Sequence, residues 1–308
     1  MSRATGASGG VRPSPNIWDD PAAYELENQA FDPDGLVEKA IESLHPLAGA
    51  TVLDIGCGAG FHLPRFAARG ARVIGLEPHL PLTALARRRV DPGAPWVGAG
   101  SPVVGASPAD AHPPAVVAGE AEPLPAVVAG EAEPLPAVVA GKAEPLPAVV
   151  AGKAEPLPAV VAGNAEPLPA VVAGEAERLP LADGSVDVTL ARWAYFFWPG
   201  CEPGLAEAER VLRPGGVAAF LDNDASRSTF GAWFAAALPA YDPLAVRRFW
   251  RRRGFAALDL DCEWRCRDRA EFERIVRIEF APDDAAQILA GHDGTRVDYA
   301  VTLWWRRF

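Results

Sequence analysis

The chain has 308 residues, 49% of them hydrophobic and 22% charged, and its 29 basic and 40 acidic side chains leave a net charge of −11. That balance argues against nucleic acid as the main partner, because neutralising phosphates needs a basic surface. No apolar run approaches the roughly 18 residues that would span a bilayer, which also argues against a membrane-spanning role.

Residues 1–15 are rich in Gly, Ser and Pro and lack an apolar h-region, so they read as a flexible tail and not a signal peptide. The cytoplasm is the expected compartment. Segments 16–29 and 33–44 have helical character, with Ile41 and Leu44 spaced for a buried face, and together they are expected to cap a ligand cleft. Tyr24 in that cap is a candidate contact. Residues 51–60, Thr-Val-Leu-Asp-Ile-Gly-Cys-Gly-Ala-Gly, then give a short apolar strand that breaks into three alternating glycines.

A strand tip needs glycine where the backbone turns sharply and a ligand lies against main-chain atoms. A dinucleotide fingerprint would place the third glycine one residue later. Here Gly56, Gly58 and Gly60 follow Asp54, whose carboxylate would suit a ligand carrying an amino group and a sulfonium. A helix is expected from about Gly60, with His62 near its start, where the helix terminus disfavours the protonated imidazole. A strand over 72–76 follows, closed by Glu77 with His79 just beyond, and then a helix over 81–89.

Residues 92–114 are rich in Pro, Gly and Ala and read as linker. From Ala115 to Pro180 the chain holds six tandem copies of an 11-residue unit, AVVAGxAExLP. Each unit offers only a short apolar run, and five of the six end in a rigid Pro-Leu-Pro, too short a connection for a parallel crossover. The span 96–169 is therefore expected to be irregular. Beyond the repeats, a strand over 186–191 leads to Arg192 and the aromatic run Trp193, Ala194, Tyr195, Phe196, Phe197, Trp198. This run reads either as loop packing or as one wall of a substrate pocket.

A helix over 202–212 is expected to stop at Pro214-Gly215-Gly216, with a strand over 217–221 after it. Asp222, Asn223 and Asp224 close that strand. A helix over 242–253, a strand over 256–265, helices over 269–280 and 283–290 and a strand over 296–305 complete the chain. The basic clusters 87–89 and 247–253 read as solvated helix faces. Strands alternating with helices imply a parallel sheet covered on both faces. Cys57, Cys201, Cys262 and Cys266 make neither a disulfide framework nor a metal site, so reduced thiols and no metal are expected.

Four ordered segments, VLDIGCGAG, RVIGLEP, GEAERLPLADGSVDV and ERVLRPGG, resemble the class I S-adenosylmethionine-dependent methyltransferases, of the small-molecule, type 11-like kind. The resemblance runs over 49–89 and 170–224, with a tail to Phe308. It implies an α/β, doubly wound, mostly parallel seven-stranded sheet with an antiparallel last strand, an N-terminal helical cap and the repeats as an insertion. The divisions are then 1–48 for tail and cap, 49–95 for the first part of the core, 96–169 for linker and repeats, and 170–308 for the second part.

The cofactor would be S-adenosyl-L-methionine. It would be held by Asp54, Gly56, Cys57, Gly58 and Gly60, by Glu77 at the ribose hydroxyls, by Glu175 and Ala176 at the adenine, and by Arg192. Copy six of the repeat supplies Glu175, whereas copies three and four carry Lys142 and Lys153 there and copy five Asn164. Candidate catalytic residues are Tyr195, His62 and Asp224, with a base needed only for a protonated nucleophile. The activity implied is methyl transfer to a small-molecule acceptor with release of S-adenosylhomocysteine. Two other readings stay open: a catalytically silent interaction protein using the repeat arm, and a nicotinamide-dependent oxidoreductase.

Overall fold

A computed structural model describes residues 15–90, 170–194 and 200–308. Copies one to five of the repeat, the linker before them, most of the N-terminal tail and Tyr195 with residues 196–198 lie outside the described residues.

The fold is built on seven strands: β1 (Thr51–Ile55), β2 (Arg72–Glu77), β3 (Ala170–Ala173), β4 (Val186–Arg192), β5 (Leu212–Asn223), β6 (Ala256–Arg265) and β7 (Arg296–Arg307). They form one sheet in the order β3-β2-β1-β4-β5-β7-β6. The first five pair in parallel, and β7 runs antiparallel to both β5 and β6. All five residues of β1 are buried, as expected for a parallel strand covered on both faces. The sixth repeat copy supplies β3, the edge strand, and Arg87 caps the Val171 carbonyl there with an Nε–H donated at 3.1 Å. A side chain at that carbonyl shields part of an edge that could otherwise template pairing.

Ten helices are described: α1 (Pro15–Asp19), α2 (Pro21–Ala30), α3 (Leu36–Leu44), α4 (Leu63–Ala67), α5 (Leu80–Val90), α6 (Glu202–Arg210), α7 (Thr229–Ala237), α8 (Pro243–Arg252), α9 (Arg269–Glu279) and α10 (Pro282–Gly291). One face of the sheet packs Phe66, Phe230, Trp264 and Phe272, and the other packs Phe220, Trp250, Phe255 and Trp304.

Several boundaries differ from expectation for local reasons. The first cap helix splits because Pro21 lacks an N–H and Asp20 caps the new start, accepting from the Ala23 N–H at 2.9 Å. The second begins at Leu36, where Gly35 is left-handed (φ 66°) and Asp32 accepts the Leu36 and Val37 N–H groups at 2.8 Å. The helix after the glycine loop starts at Leu63, since Gly60 holds φ 74°. Helix α6 ends at Arg210, and the chain is already paired at Leu212, opposite Val186. An irregularity before Val217 absorbs Pro214-Gly215-Gly216, which therefore lies inside the strand instead of ending a helix. Helix α7 was not anticipated because Thr-Phe-Gly-Ala-Trp-Phe-Ala-Ala-Ala is apolar all round and has no amphipathic period.

Candidate cofactor site

The site forms at the carboxyl ends of β1, β2, β3 and β4, where a doubly wound sheet presents its ligands. Strand β1 ends in a turn whose three glycines all have positive φ: 72° at Gly56, 56° at Gly58 and 74° at Gly60. Each is also crowded. A Cβ would lie 2.9 Å from the Ala194 Cβ at Gly56, 2.8 Å from the Tyr24 hydroxyl at Gly58 and 2.8 Å from the Ala86 Cβ at Gly60. Both backbone angle and space therefore demand glycine here.

The turn is tied to the neighbouring strand. Gly56 and Cys57 donate their N–H groups to the Leu76 carbonyl at 2.8 and 3.0 Å. Gly58 donates to Glu77 Oε2 at 3.0 Å, and His79 to Glu77 Oε1 at 2.9 Å. Glu77 is buried, which raises its carboxyl above the usual range while these two N–H groups pull it back. Cys57 turns inward, and a Cβ at Gly75 would lie 2.8 Å from its Sγ. Burial pushes that thiol well up, so it is an inert packing group. Gly75 was not singled out in the sequence, although a glycine inside a strand is itself a signal of close approach.

Asp54 is fully buried, and its Oδ2 accepts from Arg192 Nη2 at 2.7 Å. Burial raises the Asp54 carboxyl and the guanidinium offsets part of that rise. Two buried atoms of this pair have no partner: Asp54 Oδ1, an acceptor, and Arg192 Nε, a donor. The sequence points to Asp54 as an acceptor for a cationic ligand. In the fold it shares its charge with Arg192, so the two present opposite signs side by side.

Glu77 pairs with Ala173 in the β2–β3 register, which brings Gly174 and Glu175 beside it. The Glu175 side chain is exposed at the rim, and Ala176 packs partly into the core. The cap reaches the same edge. Trp18 of α1 stacks on His79 with centroids 4.2 Å apart and planes within 6°, and Tyr24 of α2 lies over Gly58. Trp18 carries no sequence signal for this role, because the contact is non-local.

Two of the three catalytic candidates, His62 and Asp224, lie within the described residues, each in a polar network of its own. His62 is buried, with Nδ1 3.0 Å from Glu38 Oε1, an oxygen that Arg65 Nε also reaches at 2.6 Å. Asp224 is buried too, accepting from Ser226 and, at 2.8 Å, from Arg227 Nε, which holds its carboxyl below the usual range against burial. Tyr195 lies outside the described residues. Close to the tip of β5, Asn223 Oδ1 accepts from Trp193 Nε1 and the Tyr299 hydroxyl, each at 2.7 Å. Trp193 has φ 53°, an unusual angle for a bulky residue, and its ring meets Phe31 edge-on at 5.1 Å. Beside Asn223, Asp222 is buried, the Asn223 N–H donates to it at 2.9 Å, and burial pushes its carboxyl up to about 8.

Two cavities of about 200 Å³ each lie away from this edge, one between Leu205, Phe220 and Phe308, the other between Trp233 and Ile288. Among the described residues no group of three His, Cys, Asp or Glu could hold a metal, and no helix is long and apolar enough to cross a membrane.

Residues 150–220 match the family model described as Methyltransferase domain. Over 80 residues the chain is 36% identical to the cypemycin N-terminal methyltransferase of a Streptomyces species, a match covering 25% of this chain and 33% of that protein. Over 42 residues it is 45% identical to the tRNA U34 carboxymethyltransferase of Shewanella pealeana, covering 13% of each. The chain thus spans a third or less of the length of these relatives. Among solved structures it is similar to a SAM dependent methyltransferase from Aquifex aeolicus, at 14% identity and a TM-score of 0.45, over 96% of this chain and 98% of that one. The match across β3, β4 and α6 identifies residues 150–220 as part of a methyltransferase domain, carried on a seven-stranded sheet whose β7 is antiparallel.

Proposed function

We propose that this protein transfers a methyl group from S-adenosylmethionine to a small-molecule acceptor and releases S-adenosylhomocysteine. The observation that carries the reading is the pair of orphaned buried atoms, Asp54 Oδ1 and Arg192 Nε, beside a turn that only glycine can make. An acceptor and a donor so placed suit the ammonium and carboxylate of an α-amino acid, and leaving such groups unpaired costs about 1 to 3 kcal/mol each. The residues present fit the cofactor.

Asp54 and Arg192 would hold its amino-acid end, the turn at Gly56, Gly58 and Gly60 its middle, and Glu77 its ribose hydroxyls. Glu175 and the Ala176 N–H would take the adenine. Bound there, the cofactor supplies a methyl group already activated by the positive charge on sulfur. The protein's own contribution is then alignment in a dry site, with Tyr24 and the Trp18–His79 stack excluding water above the loop. The wall of Phe31, Trp193 and Tyr299, with Asn223 as its polar point, suits a small and partly apolar acceptor.

The relatives' names carry an N-terminal and a tRNA acceptor. A net charge of −11 weighs against a polyanion here. A screen of metabolite extracts with methyl-labelled cofactor tests the proposal: label should pass to a small, extractable product. Label found only in added tRNA or protein would refute the small-molecule acceptor.

A further inference from the structure

The edge of β2 holds copy six of the repeat through features that every copy carries. Ala170–Ala173 pair in parallel register with residues 74–77, and Val171 and Leu179 are buried. A Cβ at Gly174 would lie 2.8 Å from Leu76 Cδ1, so a glycine is needed at that bend. The Leu179 N–H donates to Glu207 Oε2 at 2.8 Å, and the Leu179 carbonyl accepts from Arg210 Nη2 at 3.1 Å. Both bonds use backbone atoms, which any copy offers. Ala-Val-Val-Ala-Gly and the leucine recur unchanged in copies one to five.

Two contacts belong to copy six alone. The Arg178 N–H donates to the Glu175 carbonyl at 3.2 Å, and each other copy has a proline at that place, with no N–H to give. Leu181 packs partly against the core, whereas an alanine follows each other copy. One hydrogen bond and part of one leucine favour copy six over any single rival by on the order of ten- to a hundredfold. Chain length is no obstacle to a rival. Residues 91–114, which separate α5 from copy one, exceed the dozen or so that a parallel connection needs. On the other side, Ala182 and Asp183 are exposed between Leu179 and β4, so whole units can be looped out there, and closure entropy grows slowly with length.

We propose that the slot beside β2 is degenerate, and that copies one to five of the same chain exchange with copy six by shifts of whole 11-residue units. The exchange changes chemistry at the rim. Copies one and two keep a glutamate where copy six has Glu175, copies three and four bring Lys142 or Lys153, and copy five brings Asn164. That this alters the adenine seat rests on the proposed function; the exchange itself does not.

The test is urea denaturation of full-length variants without cofactor, so its failure is separate from any failure of the methyl-transfer reading. Leu179→Asp puts a carboxylate at a site only 3% exposed and leaves five intact rivals. Its unfolding constant should rise by about twentyfold or less, the preference divided among the rivals. Adding the same change at Leu124, Leu135, Leu146, Leu157 and Leu168 removes every substitute, and should raise the constant at least about tenfold further or abolish folding. Those five changes with Leu179 intact should unfold like wild type. Equal effects of Leu179→Asp with and without the other five, or failure of Leu179→Asp alone to fold, would overturn the exchange. Rescue that grows with protein concentration, with a dimer in light scattering, would place the substitute in a second chain and overturn exchange within one.

Discussion

Arg192 Nη2 stands 2.7 Å from Asp54 Oδ2 at the adjoining tips of β4 and β1, and each side chain keeps one buried polar atom unpaired. The pair is a structural tie and, in the proposed function, also half of the cofactor site, and the two roles separate on mutation. Asp54→Leu or Arg192→Met alone leaves a buried charge uncompensated and should lower stability by about 3 kcal/mol. The double variant should recover much of that loss in urea denaturation while binding no S-adenosylhomocysteine.

Gly58→Ala meets two obstacles, a φ of 56° and the Tyr24 hydroxyl 2.8 Å from the new Cβ. In the wild-type background the substitution should destabilise by about 2 kcal/mol. In a Tyr24→Ala background only the backbone strain of about 1 kcal/mol should remain, and thermal melts of the four proteins measure the difference as a coupling energy.

Glu77 accepts from the N–H groups of Gly58 and His79, so it shapes the turn as well as facing the ligand edge. Glu77→Ala should weaken S-adenosylhomocysteine binding by about tenfold or more, because unpaired buried donors each cost about 1 to 3 kcal/mol. Calorimetric titration checks this, with circular dichroism confirming the fold.

Asp222 gives a pH signature. Burial pushes its carboxyl up to about 8 in the folded chain, against an unfolded value of 3.8. The folded state thus binds a proton that the unfolded state releases, and this contribution to stability falls as pH rises from about 4 through about 8. Asp222→Asn removes the titration, so it should raise stability at pH 8 by on the order of 2 to 4 kcal/mol and flatten the profile in that window. Urea midpoints from pH 5 to 8 report it.

The sheet was legible because its strands announce themselves locally. β1 is a short apolar run that ends in glycines, and β6 and β7 fall close to their expected bounds. The repeat could be read to the right copy because the unit that forms β3 runs on directly into β4. The glycine turn and Glu77 were legible for the same reason, as residues at strand ends.

Contacts between distant segments were not legible. Trp18 on His79, Tyr24 on Gly58, Glu38 on His62 and Arg192 on Asp54 join parts of the chain 24 to 138 residues apart or cross from cap to core, and no local period encodes them. Helix α7, apolar on every side, hid for the opposite reason, since its period carries no contrast.

The most direct test of the central claim is a calorimetric titration of the folded protein with S-adenosylhomocysteine, with NAD titrated in parallel. The account predicts a saturable single-site heat for the nucleoside thioether, none for NAD, and loss of the heat in Asp54→Leu/Arg192→Met. Heat with NAD alone, or a binding curve unchanged by the double substitution, would contradict it.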